Sequence, residues 1–581
     1  MKKTITFILI LAGYMLCAQN AAESGKKVKN NQPATEYDRL SLTYLLLDPG
    51  TGNYLSILKK DFGSLQLPGK FDDNSISGKF IPSPVTPTET ANAFLFNPRT
   101  PNEVVNKINK SLVDGHYANA VIAKWFSRKE DGSFGLELLQ QRGLYNANDA
   151  DVKEANASKL GNSKLMDAGE HLLNKSYILV YDIRDLISKS EEYDRQQKNS
   201  KTVIKRNQNG FVANLDVYVF RISFNDTINA IFWQQLWAVA GSPDLAARKQ
   251  AFDRYNFPLT YVTRVSNRVE ASQYNKGEAL APKVQASSEE LILKLLNDGM
   301  NQSIFAIERS LEEFRVKTAL FGTHPLTAKI GLKENLKLDQ RFFVFEMRQG
   351  GNGEIKAHRQ GVIRASKHIV DNRQVSSGNT EPSRFYQVGG KRLDEGMLLQ
   401  QRNDAGLAFT LGGSTGGISG VNGKLEFNIS TLLKKNAPSM LKLYFEGGYD
   451  PVKVDLYVNG TDAGSVSYSN FIRYGGGLGK EFCFLRNFRF QPFAGIGLES
   501  VSQKDDSQKT LSSLYGRFGG TLGINLKPGI QLVGTYGSYT MFGSITDQDK
   551  NTIKPTGPEG WADGKWGHSG TTMDFGIRFE F

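Results

Sequence analysis

The chain of 581 residues is 39% hydrophobic and 22% charged, which is enough apolar material for two to four domains with sizeable cores. Its 58 glycines, 19 prolines and two cysteines exclude collagen and a disulfide scaffold, and 31 of the glycines fall within residues 401–581. The net charge of +12 is too diffuse for nucleic acid. It fits either solvated surface charge or attraction to an anionic glycan, a lipid headgroup or an acidic partner.

The N-terminus has the pattern of a secretory signal. Lys2 and Lys3 precede an apolar stretch at residues 5–16, and a segment of mostly small residues follows. This order is typical of a cleaved signal peptide, which we predict at residues 1–19. Leu16 stands where a lipoprotein signal has a small residue before Cys17, so lipidation is not expected. Cleavage would leave Cys483 as the one cysteine, so we expect no internal disulfide.

The following part of the chain mixes helix and strand signals. A disordered polar lead is predicted at residues 20–35 and an α+β region of one or two domains at residues 36–316. Ser287 and Glu290 form a capping box, which predicts the start of a long helix that extends to about Arg315. The other predicted elements are strands at 177–181 and 211–224, helices at 149–174 and from Ser242 and Pro243 onward, and a possible charged linker at 188–209.

A small β-rich module is predicted at residues 317–400. Strands at 341–347 and 361–365 flank a glycine turn at 350–353, and a strand at 388–399 follows. This order is similar to the SH3-like modules that recur near the ends of envelope-assembly proteins, including the flagellar-assembly-T type. The resemblance implies either docking of a partner or a spacer next to the C-terminal domain.

The last 181 residues repeat a two-residue alternation of apolar and polar side chains. Phe575, Ile577, Phe579 and Phe581 alternate with polar residues, which predicts a strand with one apolar face. Similar stretches predict eight strands, at residues 405–411, 421–429, 441–449, 472–482, 488–498, 514–525, 530–542 and 573–581. We predict that residues 401–581 form an eight-stranded antiparallel transmembrane β-barrel that follows the α+β periplasmic region. Because periodicity alone does not separate inside from outside, a soluble β-sandwich is the alternative.

The links between these strands favour the barrel. Short links are expected at 432–438, 485–487 and 527–529, and long polar links at 412–420, 450–463, 502–512 and 543–570. Outer-membrane barrels have short periplasmic turns and long outer loops, so both ends of the barrel segment are expected in the periplasm. The terminal Phe581 resembles the aromatic signal that the barrel-assembly machinery reads. The whole segment resembles the small OmpA/OmpX type of outer-membrane barrel, an architecture that implies nothing about catalysis.

The polar faces of these strands carry six cations and six anions. They are Lys424, Lys442, Arg473, Arg489, Arg517 and Arg578, and Glu426, Glu446, Glu481, Glu499, Asp574 and Glu580. An eight-stranded barrel has an interior just wide enough for side chains, so this balanced set predicts a salt-bridged plug in the lumen. The alternative is an ion-selective channel, which normally has one dominant sign at its constriction. Inward glycines would leave room for Arg and Tyr side chains.

No catalytic, cofactor-binding or metal site is predicted. Residues 412–416 match the nucleophile-elbow pattern G-x-S-x-G, but we expect them in a surface loop, and His568 is the one histidine that follows. The six histidines lack the spacing of a zinc site.

We therefore expect an outer-membrane protein whose barrel anchors a large periplasmic region, with a non-enzymatic role in scaffolding or envelope assembly. The expected partners are outer-membrane lipid, the barrel-assembly machinery and a periplasmic or outer-membrane protein, with no nucleic acid. Two alternatives remain open. One is transport or glycan adhesion by the barrel and its last long loop, in which Trp561, Trp566 and Tyr539 could contact a glycan. The other is a periplasmic hydrolase within residues 36–316.

Overall fold

The structure is a computed structural model that describes most of the chain. The described residues are 39–85, 102–138, 173–198, 209–276, 284–349, 355–373, 381–430, 438–457, 465–553 and 569–581. They form two compact units. The first extends to Val316 and includes Lys333–Asn335, and the second consists of Lys317–Leu332, Leu336–Asn372 and Glu381–Phe581. In these ranges, none of the helices is both long and apolar enough to cross a membrane.

Several predictions fall outside the described residues and stay predictions. They are the signal peptide at 1–19, the lead at 20–35, most of the helix at 149–174, the turn at 350–353, and Trp561, Trp566 and His568.

The first unit is built around a mixed six-stranded sheet. Its strands are β1 (Ser41–Asp48), β2 (Asp72–Asp73), β3 (Phe80–Pro82), β4 (Ser176–Ser188), β5 (Gly210–Ile222) and β6 (Leu259–Ser272), and a small pair, β7 (Asn275–Lys276) and β8 (Val284–Gln285), lies apart. Strand β1 pairs in parallel with β2, β3 and β4, whereas β4, β5 and β6 are antiparallel. The predicted strands at 177–181 and 211–224 correspond to β4 and β5.

Helices cover both faces of this sheet. They are α1 (Leu55–Ser64), α2 (Asn102–Asp114), α3 (Tyr117–Trp125), α4 (Lys189–Lys198), α5 (Asp226–Ile231), α6 (Leu245–Arg254) and α7 (Ser288–Ser310), with a π-helix at Phe232–Leu236 and a 3₁₀ turn at Glu312–Phe314. Helices α1 and α7 pack on one face through Phe62 and Leu295. Helices α2, α3 and α6 pack on the other through Ile108, Trp125 and Phe252. The sheet is hydrophobic on both faces because both faces are buried.

The start of helix α7 agrees with the capping signal in the sequence. Ser287 Oγ accepts a hydrogen bond from Glu290 N at 3.3 Å, and Glu290 bonds back to the Ser287 backbone, as the predicted capping box requires. Helix α7 ends at Ser310, earlier than expected, and α6 begins at Leu245, two residues beyond Pro243.

The first part of the predicted linker at 188–209 is helix α4. Ser188 Oγ accepts from Glu191 N at 3.1 Å, and the Glu191 carboxylate accepts from Ser188 N at 2.8 Å. This is the same capping box that opens α7, in a segment whose high charge suggested a linker.

A buried charged cluster lies on one face of the central strands. Asp182 and Asp216 are direct partners across β4 and β5. Arg184 contacts both carboxylates, at 3.4 Å from Asp182 and in an ion pair with Asp216. Burial raises the pKa of Asp182 to about 6, and repulsion from Asp216 adds to this effect against the attraction of Arg184. The ionised Asp182 therefore destabilises the folded unit at neutral pH.

We expect Asp182→Asn to raise the free energy of unfolding of the first unit by up to about 3 kcal/mol at pH 7.5. The raised pKa means that the folded state binds the proton more tightly than the unfolded state. The gain should therefore shrink as the pH falls through 6 towards 4, where the native carboxyl is also neutral. Urea unfolding of the full chain, followed by the fluorescence of Trp125, Trp233 and Trp237, measures this difference. Asp194→Asn, at an exposed position, is the control; equal shifts for both variants would contradict the prediction.

The second unit begins with an antiparallel sheet, here named the base module (residues 317–401). Its strands are β9 (Lys317–Ala319), β10 (Gly322–Thr323), β11 (Leu326–Ala328), β12 (Arg341–Gln349), β13 (Ile355–Ala365), β14 (Ser383–Gly390) and β15 (Leu398–Gln401), in the order β10-β11-β14-β13-β12-β15-β9. The strand predicted at 388–399 is two strands, β14 and β15. Gly396 has a φ of 79° in the turn before β15, which interrupts the extended chain.

The C-terminal domain is a closed antiparallel barrel. Its strands are β16 (Leu407–Gly416), β17 (Gly420–Asn428), β18 (Leu441–Tyr457), β19 (Ser465–Lys480), β21 (Phe488–Gln503), β22 (Thr510–Lys527), β23 (Ile530–Asp547) and β25 (Gly570–Glu580), with short β20 (Phe482–Phe484) and β24 (Thr552–Ile553) beside them. Pairing of β16 with β25, for example Phe409 with Phe579, closes the cylinder. The predicted fold class, an α+β region followed by an eight-stranded antiparallel barrel, is confirmed.

The barrel strands are longer than predicted at one end. We call the end where the chain enters at Leu407 and reaches Phe581 the base, and the opposite end the loop end. The link predicted at 412–420 is a turn of residues 417–419, and G-x-S-x-G lies inside β16 rather than in a loop. The link predicted at 450–463 is likewise shortened by β18, which extends to Tyr457. The alternation fades there because strand ends beyond a bilayer meet water on both faces.

Candidate functional site: the charged interior of the barrel

The barrel has an inverted polarity. Its outer surface exposes large apolar side chains, including Leu411, Phe445, Ile496, Phe518 and Phe575, the last of which is 63% exposed. Its interior holds the charged residues of the alternate positions. Because a soluble barrel would bury its apolar face, this arrangement identifies a barrel whose outer surface contacts lipid. The chain is thus an outer-membrane type of transmembrane β-barrel protein.

Arg578 lies at the centre of an ion-pair layer near the base. Its Nε donates to Glu426 at 2.6 Å, and its other nitrogens donate to Glu481 at 3.2 Å and Gln531 at 2.8 Å. Arg489 donates to Glu481 at 2.7 Å and to Glu580 at 3.0 Å. These side chains are nearly inaccessible to solvent.

Lys442 lies buried in the same layer, close enough to Glu426, Glu481 and Glu580 to attract all three electrostatically. The layer therefore brings together seven of the twelve predicted lumen charges: Glu426, Lys442, Glu481, Arg489, Arg578 and Glu580, with Lys424 at its edge 3.5 Å from Glu426.

Arg517 organises a second layer in the middle of the barrel. It forms ion pairs with Glu446, at 3.0 Å, and with Asp574. Tyr515 donates a hydrogen bond to Glu446 at 3.0 Å. Lys424 lies over the ring of Tyr444, 4.3 Å from its centroid, so this layer is held by ion pairs and a cation–π contact together.

A third layer closes the loop end. Arg473 lies 3.5 Å from Glu499 and donates to the Ser419 carbonyl at 2.6 Å. Tyr539 is buried and donates to Glu499 at 3.0 Å. The glycan-adhesion alternative would place Tyr539 in contact with a glycan, but its side chain points into the barrel from β23 and is 1% exposed. An apolar cluster lies beside this layer: Ile418, Tyr468, Phe471, Val501, Leu511, Met541 and Ile545.

The free space between the middle and loop-end layers is small. A cavity of about 40 Å³ is lined by Thr410, Ser414, Asn422, Thr535 and the charged groups around them. That volume holds only a few water molecules. In the described part of the chain, no group of three or more His, Cys, Asp or Glu side chains is placed to hold a metal ion.

Glycines make room for the two central tyrosines. A Cβ atom at Gly475 or Gly497 would overlap Tyr515, and one at Gly495 would overlap the Tyr444 hydroxyl. The glycine enrichment of residues 401–581 thus has a packing cause inside the barrel.

The base of the barrel is covered by an arginine that the sequence did not single out. Arg364, on β13 of the base module, is 2% exposed and forms ion pairs with Asp404 and with Glu580 of β25. It also donates to the Asp339 carbonyl at 2.8 Å. Burial alone would lower the pKa of Arg364, but the two carboxylates raise it well above its ordinary value. The ion-pair network of the lumen therefore continues into the module.

Hydrogen bonds between side chains and backbone groups also hold the contact between the base module and the barrel, here called the joint. Asn487, in the turn before β21, accepts from Gly390 N at 2.8 Å and donates to Gly390 O at 3.2 Å. Asn525 donates to the Val388 carbonyl at 2.7 Å, and Met440 N donates to the Asp339 carboxylate at 2.5 Å. No sequence signal marked these asparagines, since Asn487 lies in a turn, where Asn is common, and Asn525 lies within β22.

Comparison with known proteins finds solved outer-membrane barrels that align with less than half of this chain. No protein-family model and no curated protein matches the chain. A major outer membrane protein from Thermus thermophilus is similar at 16% identity over 30% of this chain and 99% of its own, with a TM-score of 0.20. Ail, the attachment invasion locus protein of Yersinia pestis, is similar at 12% identity over 30% and 98%, with a TM-score of 0.18. The outer membrane protease OmpT from Escherichia coli is similar at 11% identity over 42% and 94%, with a TM-score of 0.13.

Proposed function

We propose that the barrel is a sealed outer-membrane anchor that holds the first unit in the periplasm for a scaffolding or envelope-assembly role. The observation that carries this proposal is the continuity of charge from the lumen into the base module, where Arg364 pairs with Glu580. A transport path would need an open interior, whereas the described lumen is filled by paired side chains and a small cavity. In this proposal the chain has no catalytic role.

The proposed orientation follows from the lengths of the links. At the base, β20 and β21 are joined by residues 485–487, and β22 and β23 by residues 528–529. The base also has a longer link at residues 429–440, and the loop end has a short turn at 417–419. The longest link, residues 548–569, is at the loop end, as is the link at 504–509. Short turns are typical of the periplasmic side of outer-membrane barrels, so the base would face the periplasm.

A sealed barrel should not conduct. We expect the purified full chain to show no steady conductance in planar lipid bilayers, because the Arg517 and Arg578 layers occupy the lumen. A channel-forming porin in the same membranes is the control for insertion. A stable open level for the wild-type chain would contradict the anchor and favour the transport alternative.

The orientation is tested by access in whole cells. Trypsin added to intact cells should leave the first unit uncut, and cutting should begin only after the outer membrane is permeabilised. An epitope inserted after Asp505, in the loop-end link 504–509, should bind antibody on intact cells. Cleavage of the first unit in intact cells would overturn the periplasmic placement.

A further inference from the structure

Three arginines of the second unit surround one phenylalanine. Phe343, on β12, is half-buried. The guanidinium carbon of Arg359 lies 4.8 Å from its ring centroid, that of Arg402 5.5 Å and that of Arg341 6.0 Å. We call these four residues the arginine cluster. A ring that holds guanidinium groups in this way limits their rotation and orients their N–H groups.

The cluster lies next to the base of the barrel. Arg402 N donates to the Arg341 carbonyl at 2.9 Å, and Arg341 donates to the Asn403 carbonyl at 3.1 Å. The first barrel strand begins five residues after Arg402, at Leu407. Five residues span at most about 17 Å, so the cluster lies beside the membrane boundary at the base.

The positive charge of the cluster is only partly balanced. Asp404 lies 3.9 Å from Arg341, but it also forms the closer ion pair with Arg364. Arg359 and Arg402 are exposed. Burial and repulsion from Arg402 lower the pKa of Arg359, and burial and repulsion from Arg364 and Arg402 lower that of Arg341. An anion placed among them would relieve this repulsion.

We propose that Arg341, Arg359 and Arg402 bind the phosphate of an anionic phospholipid in the leaflet at the base of the barrel. Guanidinium groups match phosphate geometry, and basic residues at a membrane boundary attract anionic headgroups. The acyl chains of such a lipid would lie on the apolar outer wall of the barrel. The choice of a phospholipid rests on the proposed orientation, in which the base faces the periplasmic leaflet.

The test uses the full chain in mixed micelles with phosphatidylglycerol or phosphatidylcholine, and counts retained lipid by native mass spectrometry. Arg359→Gln with Arg402→Gln should weaken phosphatidylglycerol binding by about 30-fold, since each arginine near a membrane contributes about fivefold. The control, Arg348→Gln with Arg392→Gln, removes the same charge from exposed positions of the base module.

Each result decides the proposal. Selective loss of phosphatidylglycerol in the Arg359 and Arg402 variant, with the control unchanged, supports it. Equal retention in both variants overturns it. Thermal stabilisation of the wild type by inorganic phosphate as large as that by phosphatidylglycerol also overturns it, because the site would then bind a free anion. Conductance is a separate measurement, so a conducting barrel would end the anchor proposal without affecting this one.

Discussion

Replacing Arg578 with methionine is expected to lower the free energy of unfolding of the barrel by about 3–5 kcal/mol. Arg578 is the shared partner of Glu426 and Glu481, and all three side chains are buried. Methionine fills similar space but leaves two carboxylates with less positive charge nearby. An unpaired buried charge costs more than the loss of the pair itself, so this change should exceed any surface charge substitution.

Heat-modifiable gel migration and urea unfolding of the full chain in detergent measure this loss. Adding Glu426→Gln to the Arg578→Met variant should recover part of the stability, because Glu426 has its closest ion pair with Arg578, whereas Glu481 keeps its ion pair with Arg489. Lys527→Met, at an exposed position at the base, is the matched control and should change stability by under about 0.5 kcal/mol. An Arg578→Met variant as stable as the Lys527→Met control would show that the layer does not hold the barrel together.

The alternation of side chains was enough to predict the barrel because lipid and lumen impose opposite requirements on neighbouring residues. Phe575 and Ile577 must face lipid, while Asp574 and Arg578 must find partners inside. The pattern therefore assigns strands and faces together. It fails at the loop end, where β18 continues through Val452 and Lys453, which are both exposed and follow a register shift after Asp450.

The partners of the lumen charges could not be predicted in the same way. Glu446 and Arg517 belong to β18 and β22, which are not neighbours in the barrel, and their contact depends on how the strands tilt around the cylinder. Tyr539 lies within the strand predicted at 530–542, where the alternation of apolar and polar side chains is less regular and does not assign its face. Its side chain is buried next to Glu499 inside the barrel.

Arg364 shows a further limit of sequence reasoning. In β13 it is one of several basic residues, and nothing in the local pattern separates it from the exposed Arg359. Its partner Glu580 lies 216 residues later in the chain. The predicted plug was confined to residues 401–581, whereas the network of paired charges includes a side chain from the preceding module. Only the packing of β13 against the base of the barrel brings the two together.

Arg364→Met should release the base module from the barrel while both remain folded. The substitution removes Arg364, which is the ion-pair partner of the buried Asp404 and Glu580 on the base module. We expect it to lower the free energy that holds the joint together by about 3–5 kcal/mol. We expect amide exchange to accelerate by at least about a hundredfold in the peptides that carry Gly390 and Met440, whose backbone N–H groups donate hydrogen bonds across the joint. Hydrogen exchange of the full chain, followed by mass spectrometry, measures this directly.

The controls separate the joint from the module itself. Arg348→Met removes an exposed ion pair with Glu346 on the same sheet and should leave exchange at the joint unchanged. Arg364→Met combined with Asp404→Asn should regain part of the protection, because Asp404 has its closest ion pair with Arg364, whereas Glu580 keeps its ion pair with Arg489. Faster exchange throughout β12 and β13 would instead mean that Arg364 stabilises the module fold. If Gly390 and Met440 stay protected in Arg364→Met, the polar contacts of Asn487 and Asp339 hold the module, and the rigidity of the anchor does not depend on the shared ion-pair network.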